Sequence, residues 1–197
     1  KQLEEWKKAC EQAEAEGKKK PTKPKKPKDL PSLTEEELAE LPELPEGWEW
    51  IKLGSIVKDI QTGPFGSQLH KSDYTEYGIP IINPKHIKDQ KIYPQERISK
   101  DKANSLNQYI LYQNDILLGR RGEIGRSAPI THKENGWFCG TGCLIIRLYN
   151  QVNTKLLSLI LSEKRVVDYL KKHSRGTTMT NLNSKILNNL PIQILSL

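Results

Sequence analysis

The chain has 197 residues, of which 36% are hydrophobic and 28% are charged, and its formal net charge is +7. This length suffices for one hydrophobic core with appendages, since a domain of ~150 residues buries roughly 70% of its unfolded surface. No apolar run approaches the ~18 residues that a membrane span needs, so the sequence predicts no membrane-spanning helix and no membrane partner.

Positive charge is concentrated in the C-terminal three quarters of the chain. Residues 1–46 contain 10 Lys and Arg against 12 Asp and Glu, a net charge of −2, whereas residues 47–197 contain the other 21 against 12, a net charge of +9. The excess therefore lies outside the lysine-rich segment near the N-terminus. A basic folded part favours a polyanionic partner, although a solvated basic surface would have the same composition.

Residues 1–17 have the pattern of a helix end. Their apolar side chains recur at helical spacing, which predicts an amphipathic helix. These side chains are Leu3, Trp6, Cys10 and Ala13. Fewer than two heptads are present, so we expect the end of a longer helix rather than an independent one. The only methionine is Met179, and the chain is therefore expected to be a fragment or a processed form.

Residues 18–46 have the composition of a linker. Between residues 18 and 28, lysines alternate with prolines, a composition that repels itself, buries no apolar surface and favours extended geometry. The acidic remainder contains Thr34 followed three residues later by Glu37. This spacing is typical of a capping box at the start of a short helix.

A domain with mixed α+β patterns is predicted over residues 47–197, rich in β-strands and with a few helices. Apolar and β-branched runs indicate strands, and apolar positions at a period of 3.6 residues indicate helices. The predicted elements are a strand or short helix after Gly47, a loop at 62–69, a strand at 78–83, a short polar helix or turn at 101–109, a hairpin at 115–130, a central strand at 142–148, an amphipathic helix at 153–172, a short helix at 183–189 and a final strand at 190–194.

The hairpin segment, DILLGRRGEIGRSAPI, is typical of a strand, a glycine-rich turn and a second strand. Arg120, Arg121 and Arg126 lie in the turn and are expected to project from it. Arginine is shaped to fork onto phosphate oxygens or onto the O6/N7 edge of guanine. An ordinary solvated hairpin is the alternative. A nucleotide-binding loop is not indicated, because neither the GxxxxGK[ST] nor the GxGxxG spacing is present.

The motifs of catalysis are incomplete. NPK at 83–85 lacks the second proline and the aromatic residue of a base amino-methyltransferase motif, and no clustered acids with E-x-K spacing indicate a nuclease. Cys139 and Cys143 are too few for a closed zinc site, because His132 would be only a third ligand. We interpret both cysteines as buried reduced thiols in a cytoplasmic protein. The sequence therefore predicts a binding protein without a cofactor or metal.

Six stretches, in their order and spacing, resemble the target recognition domain of type I restriction–modification specificity (S) subunits. They are LPEGWEWIKLGSI, TGPFGS, GIPIINPKHI, NDILLGRRGEIGRSAPI, GCLIIRL and RGTTMTNLNSKILNNLPI, and together they cover about residues 44–197. The resemblance implies a domain that reads one half of a split DNA site. It also implies modification subunits that supply the methyltransferase and a restriction subunit that supplies the motor and nuclease.

The same resemblance implies a place for this domain. Two such domains alternate in the family with two long helices that form an antiparallel pair. Residues 1–17 resemble the C-terminal end of the first helix, so we expect the second, C-terminal recognition domain. The proline-rich turn, Glu-Gln pair and second helix that usually follow the last strand are not found before Leu197.

Candidate DNA contacts are chosen by side-chain chemistry, since a family resemblance does not fix base-contacting residues. Lysines and glycine-loop N–H groups suit phosphates, and Arg, Gln and Asn side chains suit bases. The candidates are Ser67, Gln68, Lys85, His86, Lys88, Arg120, Arg121, Arg126, Lys171, Lys172, Arg175, Thr177 and Thr178.

Three functions remain open on the sequence alone. The first is a non-catalytic duplex DNA-binding module of a restriction–modification complex. The second is the recognition domain of a fused methyltransferase–endonuclease polypeptide, which only further sequence upstream would distinguish. The third is a protein-interaction module whose basic surface is incidental, and it would lack the linear fall of log K with log salt that phosphate neutralisation causes.

Limited proteolysis tests the predicted domain boundary. Because residues 18–28 combine lysines with a composition that forms no packed core, trypsin is expected to cut there first. A stable C-terminal core should remain, beginning after Lys28 because no lysine or arginine lies between Lys28 and Lys52, as measured by mass spectrometry of the fragments. Fragmentation of the core before cleavage at 18–28 would contradict the boundary.

Overall fold

A computed structural model describes residues 2–15, 30–149, 152–174 and 182–195. These residues form six α-helices and twelve strands, joined by short 3₁₀ turns. The helices are α1 (Gln2–Ala15), α2 (Glu35–Ala39), α3 (Lys100–Ser105), α4 (Thr154–Ser162), α5 (Lys164–Ser174) and α6 (Ser184–Asn188). The strands are β1 (Trp48–Lys52), β2 (Val57–Thr62), β3 (Tyr74–Thr75), β4 (Ile79–Ile82), β5 (Ile87–Lys88), β6 (Lys91–Ile92), β7 (Glu96–Ile98), β8 (Ile116–Gly119), β9 (Ser127–Pro129), β10 (Phe138–Cys139), β11 (Cys143–Leu148) and β12 (Pro191–Leu195).

The central sheet has the strand order β2-β11-β8-β9, and all of its neighbours are antiparallel. Successive side chains of a strand point to opposite faces. Leu144 and Ile146 of β11 accordingly join one apolar cluster, and Cys143 and Ile145 join another. Both faces are buried, which explains why β11 and β8 are almost uniformly apolar. The predicted central strand at 142–148 and the predicted hairpin are confirmed.

Helices cover one face of the central sheet and a second sheet covers the other. Leu157, Leu170 and Leu187, from α4, α5 and α6, pack in the cluster that contains Leu144. The second sheet, β10-β4-β7-β3, contributes Ile81 to the other cluster. Its β10 and β4 are parallel, and its other pairs are antiparallel. The architecture is α+β, as predicted.

The predicted helix over 153–172 is two helices, and this part of the prediction is wrong. The break lies at Glu163, whose backbone is extended (φ −62°, ψ 142°). Its carbonyl accepts the first hydrogen bond of α5, from Val167 N at 2.9 Å. Its carboxylate accepts hydrogen bonds from Gln193 Nε2 at 3.1 Å, which ties the break to β12. The apolar positions keep a helical spacing through the break, because both helices face the same core. The spacing alone therefore predicts one helix.

The acidic segment before β1 contacts the folded domain. The predicted capping box is confirmed: Glu37 N donates to Thr34 Oγ1 at 3.1 Å and Thr34 N donates to Glu37 Oε2 at 2.9 Å. Glu37 also lies 3.4 Å from Nζ of the buried Lys52. Of the residues predicted as a linker, 18–29 lie outside the described part of the chain.

Cys139 and Cys143 are free and fully buried. Burial raises the pKa of both thiols, because the interior disfavours the thiolate. Among the described residues no helix is long and apolar enough to cross a membrane. The same residues contain no cluster of three or more His, Cys, Asp or Glu side chains that could hold a metal ion.

The hairpin is held against α5 by a close contact at Gly125, which has a φ of +90°. A Cβ atom there would lie 2.5 Å from Val167 Cγ2. At Gly122, which has a φ of +68°, a Cβ would meet no heavy atom within 4 Å. Both positions favour glycine by conformation, but only Gly125 also lacks space.

Gly125→Ala should therefore lower the free energy of unfolding by about 1–3 kcal/mol more than Gly122→Ala, because only the first change forces overpacking. Urea denaturation of the two variants and the unchanged chain measures the difference. Equal losses in the two variants would show that the contact with Val167 does not constrain the hairpin.

Candidate nucleic-acid interface

Four turns meet at one end of the two sheets. They follow β2 (63–68), β4 (83–86) and β8 (120–126), or precede β11 (140–142). Backbone hydrogen bonds join them: Gly63 N donates to Cys143 O at 3.0 Å, Gly140 N to Ile82 O at 2.8 Å, and Arg120 N to Gly142 O at 2.9 Å. Antiparallel pairing places the start of β11 beside the ends of β2 and β8, so segments distant in sequence form one surface.

Glycine allows the two sheets to approach at this end. A Cβ on Gly140 would lie 2.3 Å from Asn83 Oδ1 and 2.8 Å from Ile82 O. No side chain fits in that space. Asn83 Oδ1 also accepts a long hydrogen bond from Gly142 N, at 3.5 Å. The turn after β4 is thus fixed against the turn before β11.

Arg120 does not project from the hairpin, contrary to the sequence prediction. Its side chain is 2% exposed, and its Nε donates to Thr141 O at 3.0 Å. The guanidinium carbon lies 5.9 Å from the ring centroid of Phe65, within cation–π range. Burial lowers the pKa of Arg120, and the adjacent charge of Arg121 adds to this effect. Arg120 therefore joins three turns and is not placed to contact DNA.

The other two turn arginines differ in their contacts. Arg121 is half-buried, and among the described residues its buried Nε has no hydrogen-bond partner. Arg126 forms an ion pair with Glu123 and donates from Nη1 to Ile87 O at 3.3 Å. Arg126 is thus partly engaged within the protein, whereas the Arg121 side chain forms no hydrogen bond or ion pair with the described residues.

A cleft of about 510 Å³ lies on one side of the hairpin tip, and we call it the lysine cleft. Lys71, Lys85 and Arg121 line it, together with Glu96. Lys85 Nζ lies 2.7 Å from Glu96 Oε1. Burial alone would raise the pKa of Glu96, but hydrogen bonds from Lys85 and Asn83 outweigh it and keep the pKa below its ordinary value of 4.5. Within the described residues Lys71 has no ion-pair partner.

A second opening, of about 560 Å³, lies on the other side of the tip, between the hairpin, the β5–β6 turn and the start of α5. We call it the helix groove. Lys88 and Arg126 line it. Lys171 follows Val167 of the groove wall by one helical turn, and both Lys171 and Lys172 are exposed. The hairpin tip thus separates two openings that each carry cationic side chains.

Residues 45–197 match the family described as the type I restriction modification DNA specificity domain, and this match spans most of the chain. The chain belongs to this family. The resemblance carried by the six sequence stretches is therefore confirmed.

Solved structures share the fold of this specificity domain. One is a chain from work on complex assembly and conformational transition of the type I R-M system, at 22% identity and a TM-score of 0.57. Another is the HsdS subunit from Thermoanaerobacter tengcongensis, at 21% identity and a TM-score of 0.53. A third is the type I restriction-modification S subunit from M. genitalium, at 18% identity and a TM-score of 0.52.

These alignments cover 79%, 79% and 77% of this chain but only 36%, 35% and 36% of the matched chains. The chain spans about a third of the length of the structures that it matches. At these identities the likeness shows the fold of the specificity domain, and it does not transfer the roles of individual residues.

The loop after β2 contains two predicted DNA contacts, of which one is exposed and the other is hydrogen-bonded within the protein. Ser67 is exposed. Gln68 Oε1 accepts hydrogen bonds from Phe65 N at 3.2 Å and from Tyr109 Oη at 2.9 Å, so Gln68 holds the loop in shape. Phe65 is 57% exposed at the surface of this loop and is not among the predicted contacts. An aromatic residue between two glycines, at TGPFGS, was the available signal.

Three predicted contacts have no described position, and one residue of the lysine cleft was not predicted. Arg175, Thr177 and Thr178 lie outside the described part of the chain. Lys71 lines the lysine cleft but was not predicted, because its sequence neighbourhood carries no motif.

His86 is buried, so its side chain is not exposed for the predicted contact with phosphate. It is 1% exposed, and its Nδ1 accepts a hydrogen bond from Asn83 N at 3.1 Å. Its Nε2 lies 3.6 Å from Glu96 Oε2. Burial lowers the pKa of His86 below its ordinary value of 6.5, despite the opposing charge of Glu96. The neutral imidazole supports the turn beneath Lys85.

This burial predicts a loss of stability in acid. Below the ordinary pKa of 6.5 the unfolded chain binds a proton that the folded chain does not, so the free energy of unfolding should fall as pH falls. The slope from one such group is at most ~1.4 kcal/mol per pH unit. Thermal unfolding between pH 7 and pH 5 is the measurement. His86→Gln should flatten the dependence and the exposed His132→Gln should not; identical slopes in both variants would contradict the prediction.

Proposed function

We propose that this specificity domain is a duplex DNA-binding module that reads one half of a split recognition site and is itself non-catalytic. The observation that carries the proposal is the position of the hairpin tip between two cation-lined openings. Membership of the family supports DNA sequence recognition. The net charge of +9 over residues 47–197, 21 Lys and Arg against 12 Asp and Glu, supports a polyanionic partner.

Each cation has a role that follows from its surroundings. Lys71, Lys88, Lys171 and Lys172 have no ion-pair partners in the described part of the chain, and they suit phosphate contacts. Arg121 suits base readout, because it stands at the tip and its guanidinium can fork onto guanine O6 and N7. Lys85 would first have to exchange Glu96 for a phosphate oxygen.

The remaining predicted contacts fall into two groups, those that stay proposed contacts and those that have partners inside the protein. Ser67 is exposed on the loop beside the lysine cleft and stays a proposed contact. Arg175, Thr177 and Thr178 also stay proposed, on their chemistry alone. Structural roles are proposed instead for Arg120 and His86, which are buried, and for Gln68, whose Oε1 accepts two hydrogen bonds within the protein.

The wider assembly belongs to the same proposal. Modification subunits and a restriction subunit would supply methyl transfer, translocation and cleavage, and the complex would act on DNA in the cytoplasm without a cofactor bound to this domain. The matched structures belong to a type I R-M system and to specificity subunits, which supports a subunit over a fused methyltransferase–endonuclease polypeptide. The position as the second recognition domain stays a prediction.

DNA binding by charge and hairpin variants tests the proposal. Duplexes selected by the chain from a random library provide the specific site. Arg121→Ala should weaken binding to the selected site by ~1–3 kcal/mol if the arginine forks onto a guanine. Arg97→Ala is the matched control, because Arg97 is exposed outside both openings and donates to Gly78 O.

Replacing the lysines of α5 is expected to change DNA binding in a different way in the same assay. Lys171→Ala with Lys172→Ala should weaken binding to selected and random duplexes alike, and reduce the salt slope by up to ~0.9 for each phosphate that is no longer neutralised. Unchanged affinity and salt slope in these variants and in Arg121→Ala, with unfolding curves intact, would refute the interface.

A further inference from the structure

The β5–β6 turn has an unusual backbone. Asp89 and Gln90 join Ile87–Lys88 to Lys91–Ile92 as a two-residue hairpin loop, with φ values of 49° and 58°. Two successive positive φ values are the mark of a type I′ turn, for which Asn-Gly and Asp-Gly are preferred. Glycine is absent from this loop, so Gln90 holds a left-handed conformation that L side chains seldom adopt.

The strands of this hairpin add a second unfavourable feature. Lys88 and Lys91 are directly opposite each other in the antiparallel register, and both are exposed. Like charges at directly opposed positions destabilise a strand pair. In the described part of the chain neither lysine forms an ion pair. Backbone strain and like-charge repulsion therefore coincide on four residues.

The Gln90 side chain forms one long hydrogen bond within the protein. Its Nε2 donates to Ser162 Oγ at 3.3 Å. Ser162 Oγ is already bonded to Ser158 O at 3.0 Å and to Ser127 Oγ at 2.9 Å. Among the described residues no donor bonds Gln90 Oε1. The amide therefore keeps an acceptor and a donor with which to bind a partner.

The location of the turn fits the proposed interface. Lys88, Asp89 and Gln90 form one wall of the helix groove, opposite Gly125 and Arg126 of the hairpin. Gln90 thus lines the same opening as Arg126, and Lys88 and Lys91 are near it on the two strands of its own hairpin. Strain retained at a surface turn is common at functional sites, where the surrounding structure holds it.

We propose that the β5–β6 turn is a second DNA-reading element, in which Gln90 contacts an adenine and Lys88 and Lys91 hold the flanking phosphates. This inference rests on the proposed duplex-binding function and adds a specificity-determining residue to it. Glutamine pairs its amide with N6 and N7 of adenine in the major groove, an arrangement that requires one donor and one acceptor on the same group. Phosphate contacts would neutralise the opposed lysines.

The experiment compares base preferences of the 197-residue chain with those of Gln90→Ala and Gln90→Gly, using selection from a random duplex library followed by titration on the selected site. Both variants should lose discrimination for A·T at one position and keep the preferences at the others. Binding to the selected site should weaken roughly 5- to 150-fold, the equivalent of about 1–3 kcal/mol for one bidentate contact. Gln113→Ala is the control, since Gln113 is exposed before β8, at the end of that strand opposite the hairpin tip.

Stability separates a reading role from a folding role. Gln90→Gly relieves the positive φ and should melt at the same temperature as the unchanged chain or higher, even while specificity is abolished at that position. A lower melting temperature with unchanged base preferences would assign Gln90 to folding and overturn the inference. Preferences that match those of Gln113→Ala would overturn it as well, while the proposed function stands. An unchanged chain that binds no duplex would overturn both.

Discussion

Burial of both faces of the central sheet is the constraint on which the rest of this domain depends. β11 and β8 are apolar on each face, so one face needs a helix layer and the other a second sheet. Once both layers are in place, the polar turns can lie only at the ends of the strands. The ends of β2, β4 and β8 and the start of β11 then share one surface. The candidate interface is thus a product of core packing rather than of any single loop.

In the hairpin, this constraint gives two neighbouring arginines different degrees of burial. β8 is buried along its whole length, and Arg120 directly follows it into the junction of three turns. A buried guanidinium costs free energy unless hydrogen bonds and aromatic contact compensate for it. The Thr141 carbonyl and the Phe65 ring supply such contacts. Arg121, one residue further on, is past the junction and reaches the lysine cleft. Of two identical side chains at adjacent positions, one therefore holds the junction of turns and the other lines an open cleft.

Sequence patterns correctly predicted the elements that depend on residues close together in the sequence, namely the hairpin, the central strand and the capping box at Thr34. The predictions failed where the structure depends on packing between residues that are distant in sequence. The apolar period continues through Glu163, although Gln193 of a distant strand accommodates the break there. His86 has the sequence neighbourhood of a surface residue but lies beneath the turn. The two openings are formed by segments far apart in sequence, so neither could be predicted.

The separation of core and tip has a consequence for specificity. Arg121 and Gln90 lie on turns whose backbone is fixed by strand pairing, and neither side chain joins an apolar cluster. Surface substitutions away from packed features usually change stability by less than ~0.5 kcal/mol. A change of side chain at these two positions is therefore expected to leave the layers intact, whereas a change at Arg120 or Gly140 would disturb the junction of turns that holds the hairpin. Under the proposed function, the residues that read bases could then vary while the framework stays constant.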